Sequence, residues 1–97
     1  MSDHLPIVDQ IADAQTHAER AALLLACPRG HLAQSEAVLR QILNVAGFAE
    51  AANYVTVERI ALEAVRGPDG ADRLEIQIMR AQTILDMRAK SVLEGKP

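Results

Sequence analysis

The stretch LEIQIMRAQTILDMRAKSVLE, residues 74–94, holds helical spacing over five turns, and it does so twice. Leu74, Ile78, Ala81, Leu85, Ala89 and Val92 form one apolar stripe. Ile76, Met79, Thr83 and Met87 form a second, almost opposite, because each residue advances the helix by about 100°. A single stripe is enough to bury a helix against a core, so the second requires either a central position or a partner.

The remaining segments extend the helical reading. Ile7, Ile11, Ala14, Ala18, Ala21, Ala22 and Leu25 predict a helix over residues 6–27, with Pro6 in its first turn and Ser2 or Asp3 as caps. Leu23 and Leu24 lie off that stripe, which makes its end the most buried segment expected. Pro28 and Gly30 in CPRGH stop it. A second helix follows from residue 32 or 35 to residue 46, with Val38, Leu39, Ile42, Leu43, Val45 and Ala46 inward. Gly47 marks a joint before a third over 48–66, which turns Phe48, Ala51, Ala52, Val55 and Leu62 to one side and Tyr54, Ala61 and Val65 to another. RGPDGAD is a turn, and Asp72 with Glu75 makes a capping-box-like start to the fourth helix. The fold class is therefore all-α, a small bundle of about four helices in one domain over residues 1–97, frayed at about 1–4 and 94–97. The alternative is α+β with a hairpin around residues 54–79, since NYVTV and RLEIQIM alternate apolar and polar residues.

Composition agrees with packed helices. The chain is 49% hydrophobic, but Phe48 and Tyr54 are its only aromatics, so alanine and aliphatic residues must fill the core. Cys27 is the single cysteine, which excludes an intramolecular disulfide. The longest apolar run, residues 21–27, is far short of the ~20 residues that span a membrane, and the N-terminus lacks a basic start followed by an apolar stretch. A cytoplasmic protein is expected. The net charge of −3 is uneven: residues 1–65 hold four basic and eight acidic groups, residues 66–97 six and five.

Chemistry-bearing motifs are incomplete. Cys27 and His31 have the C-x3-H spacing of half a zinc site, yet no second cysteine completes four ligands, so no metal and no cofactor is expected. Asp13 and His17 stand one turn apart as an acid and an imidazole would for general-base work, but no nucleophile accompanies them. GPDGAD leads into a helix as a phosphate loop does, while presenting Asp69 and Asp72 to any anion. AGFAEAANY is similar over nine residues to part of a tetratricopeptide repeat, one position short between glycine and aromatic. An array of such ~34-residue units does not fit this chain, and the segment reads as a helix-helix corner.

These observations predict a non-enzymatic interaction protein, an adaptor, inhibitor or regulatory subunit that docks an apolar helix face on itself or on another protein. Leu74, Ile78, Ala81, Leu85 and Val92 are assigned to the core and Ile76, Met79, Thr83 and Met87 to the interface of a homodimer. Arg73, Arg80, Asp86, Lys90 and Glu94 flank that interface as a polar rim. The alternative is a nucleic-acid-associated regulatory or packaging protein using Arg66, Arg73, Arg80, Arg88 and Lys90, although Asp72, Glu75 and Asp86 are interleaved with them.

Overall fold

The computed structural model describes residues 6–64 and 74–94, and these form helices, the first five joined by short turns, with no strand among them. The helices are α1 (Pro6–Asp13), α2 (His17–Ala26), α3 (Arg29–Gln34), α4 (Glu36–Val45), α5 (Ala49–Glu63) and α6 (Leu74–Glu94). The all-α class holds. Among the described residues there are six helices where about four are expected, and residues 54–63 and 74–79 are helical where the hairpin alternative would have them extended. The RGPDGAD turn and its capping box lie outside the described residues.

Both extra helices arise at caps. The expected first helix breaks at residues 14–16, because Thr16 adopts an extended conformation and its hydroxyl accepts from the Glu19 N–H at 3.1 Å, capping α2. Thr16 and Glu19 have the spacing of a capping box, a signal the stripe of alanines obscures. Of the two starts expected for the second helix, residue 35 matches α4, and Ser35, with φ of −107° and ψ of 16°, separates it from the additional α3. Gly47 does mark a joint: its φ of +79° lies in the left-handed region and lets the chain turn from α4 into α5.

Helix α5 is central and packs against α3, α4 and α6, while α6 also crosses α2, and α1 lies on α2 and α4. One apolar cluster draws on all six helices, through Ile7, Val8 and Ile11, Leu24, Leu32, Leu39 and Leu43, Phe48, Ala51, Ala52, Tyr54 and Val55, and Met87. The most buried segment is α5, not the end of the expected first helix, since both sides predicted for that helix meet neighbours. Leu62 and Val45, expected inward, are exposed.

Polar groups tie the cluster together. Glu58 on α5 is 2% exposed and takes Arg80 of α6 on one carboxylate oxygen and Arg29 of α3, at 3.3 Å, on the other. Burial first, and this carboxylate next, push the adjacent Tyr54 hydroxyl up to about 12. At the other end of α6, Glu94 accepts the main-chain N–H of His17 and stands 3.3 Å from the ring Nδ1. Glu94 thus ties the end of α6 to the start of α2.

Candidate interaction face on helix α6

The side of α6 that meets α5 and α2 follows a single line of residues seven apart. Arg80 reaches Glu58, Met87 is fully buried in the cluster, and Glu94 reaches His17. Ile76, Thr83 and Ile84 are half-buried beside that line, and the Thr83 hydroxyl donates to the Arg80 carbonyl at 2.9 Å. A helix with this side inward must turn its opposite side to solvent.

The opposite side carries the larger apolar residues. Leu74, Ile78, Leu85 and Val92 are 59–69% exposed, Ala81 and Ala89 are exposed between them, and Leu93 and Met79 extend the surface on one flank. This reverses the assignment of the two stripes. Leu74, Ile78, Ala81, Leu85 and Val92, expected in the core, form the outer face. Of the four residues expected at the interface, Met87 is core, Ile76 and Thr83 are half-buried, and only Met79 lies at the edge of the outer face. The polar contacts match this choice: the Arg80–Met87–Glu94 side supplies a guanidinium to the buried Glu58 carboxylate, beside that of Arg29, and a carboxylate to the His17 N–H at the start of α2. Apolar content by itself favours the other side.

Arg80 is committed to Glu58, Arg88 is exposed and Lys90 half-buried, while Arg66 and Arg73 lie outside the described residues.

The remaining candidate chemistry is placed as follows. Cys27 and His31 line an open, mostly apolar groove of about 380 Å³ with Ile7, Leu23 and Ala26. The thiol donates to the Pro28 carbonyl at 3.6 Å, and burial pushes it up from its ordinary value. Among the described residues no three metal-ligating side chains converge. His17 does not pair with Asp13, because α1 ends there. Its ring instead stacks on Phe48, centroids 4.1 Å apart and planes 15° apart, and its Nδ1 lies 2.6 Å from Arg20 Nη1. Arg20 also donates to the Ala14 carbonyl at 3.0 Å. The Arg20 guanidinium can only donate and the Glu94 carboxylate can only accept, and both stand within reach of this one ring nitrogen. Desolvation lowers its pKa and outweighs the opposing field of Glu94, with Arg20 adding to the decrease. A buried imidazole stacked on Phe48 and reaching Glu94 is a joint between α2, α6 and Phe48.

No helix of the described residues is long and apolar enough to cross a membrane. Compared with models of protein families, with curated proteins and with solved structures, the chain shows no significant match.

Proposed function

We propose that this is a non-enzymatic interaction protein, an adaptor, inhibitor or regulatory subunit, whose working surface is the outer face of α6. The observation that carries this reading is the exposure of Leu74, Ile78, Leu85 and Val92 along one line of a 21-residue helix. Single exposed leucines are ordinary on any surface, but a continuous line of large aliphatic side chains costs solvation free energy unless something covers it. The spacing suits a helix laid alongside, with anchors three and four residues apart.

The polar side chains nearest the core support the same reading. Glu58, Arg80, His17, Arg20 and Glu94 are engaged with one another across helices and position α6 rather than offer a free acid, base or nucleophile. Interleaved acidic residues and the commitment of Arg80 weigh against duplex DNA as the partner, and only weak, strongly salt-dependent binding is expected at near-physiological salt.

The test is affinity capture from native extract with the wild-type chain and with Ile78→Asp/Leu85→Asp, followed by mass spectrometry and by light scattering of the bait. Loss in the variant of self-association or of a captured protein supports the face. Associations identical in the two baits, with both folded by circular dichroism, would place the working surface elsewhere.

A further inference from the structure

We infer that the occupant of the α6 face is the same face of a second copy, laid antiparallel about a two-fold axis through the middle of the helix. This rests on the reading of that face as the working surface, and adds its partner and its geometry.

The spacing is the first argument. Leu74, Ile78, Ala81, Leu85, Arg88 and Val92 follow one another at steps of four, three, four, three and four, which reads the same from either end. That alternation is the heptad pattern of a two-helix seam, and a two-fold interface must be self-complementary. Centred on residue 83, an antiparallel copy places Leu74 against Val92 of its mate, Ile78 against Arg88, and Ala81 against Leu85. Every small residue meets a large one. The two Ala81–Leu85 layers fall at the centre, where close approach of the backbones is easiest.

Charge decides the orientation. In a parallel pair Arg88 would lie directly against Arg88 and Ala81 against Ala81, a like-charge contact beside a void. In the antiparallel pair the two Arg88 side chains are ten residues out of register, about 15 Å along the axis, and each can lay its methylene stem over Ile78 with its head in water. The face tolerates this arginine in one orientation only.

Area is sufficient. Helix α6 is about 31 Å long, and the exposed aliphatic side chains with the Arg88 stem offer on the order of 600 Å² per chain, which reaches the lower end of stable interfaces at ~1,200 Å² in total. Their exposure of 59–69% in the isolated chain means that this area is free to be buried.

Cysteine cross-linking in a Cys27→Ser background tests the geometry, together with light scattering of the full chain. Leu74 and Val92 are 18 residues apart, about 27 Å along the helix, whereas a disulfide requires Cα atoms within about 7 Å. Leu74→Cys alone and Val92→Cys alone should therefore not cross-link, while their mixture should oxidise to a covalent heterodimer. Leu85→Asp should halve the scattering mass and abolish the cross-link while circular dichroism stays helical. Efficient cross-linking of each single variant with itself would show a parallel pair and overturn the inference. A dimer unaffected by Leu85→Asp would overturn both the inference and the choice of working surface. A wild-type chain that is monomeric at high concentration would overturn self-docking alone, leaving the face to the capture experiment.

Discussion

Glu58 and His17 are the two residues whose environments depart furthest from what their chemistry prefers. A carboxylate that is 3% exposed is tolerated because two guanidinium groups, 26% and 28% exposed, surround it. Removing one partner of a buried ion pair commonly costs about 3–5 kcal/mol, and partial solvation of the arginines reduces this here to roughly 2–3 kcal/mol. Glu58→Ala should lower the urea midpoint accordingly, and an unchanged midpoint would mean that the pair is structurally neutral. Burial lowers the pKa of His17 from its ordinary value. The unfolded chain therefore binds this proton more readily than the folded one, so the stability that the depressed pKa contributes is fully present above about pH 6.5. It is lost as pH falls from there through the lower, folded-state value. The thermal midpoint of the wild type should decline more steeply than that of His17→Gln as pH falls from 7 toward 5.5, and parallel curves would contradict the assignment.

At the scale of single helices, α6 allows a direct contrast between its faces. Met87 is 0% and Leu85 62% exposed, two residues apart. Met87→Asp buries a charge without a partner and should unfold the chain or leave it molten, whereas Leu85→Asp should change the stability of the monomer by no more than about 0.5 kcal/mol. Chemical denaturation of both, followed by circular dichroism at a concentration where neither associates, checks this. The caps make smaller contributions. Thr16→Ala removes the hydroxyl that accepts from Glu19, an expected loss of about 1 kcal/mol. At Gly47 a Cβ would meet nothing within 4 Å, so the cost of Gly47→Ala comes from the backbone angle alone, about 1 kcal/mol by the same measurement.

The whole molecule measures 46 × 37 × 18 Å, a slab about two helices thick. A slab has a small core for its surface, and a 97-residue chain buries only about two thirds of what its unfolded form exposes. Association through α6 would add to that core. A folded dimer in equilibrium with monomer has a thermal midpoint that rises with protein concentration, so scanning calorimetry over a hundredfold range should show an upward shift in the wild type and none in Leu85→Asp.

The sequence by itself determined the helical class, the joint at Gly47, the stop at Pro28 and the existence of two apolar stripes on α6. Each of these is local: a period of 3.6, a residue that tolerates positive φ, an imino acid without an N–H. The break at residues 14–16 was legible too, in Thr16 and Glu19, but alanines on both sides continued the stripe across it. Which stripe of α6 faces inward was decided only by tertiary structure. Periodicity sets the angle between two faces and says nothing about which neighbour each will meet. The deciding contacts join Arg80 to Glu58 across 22 positions and Glu94 to His17 across 77. A buried carboxylate and the first N–H of α2, which Glu94 and not the Thr16 hydroxyl takes, must be satisfied by whatever packs on them, and that requirement turned the more polar side of α6 toward the core and the more apolar side out.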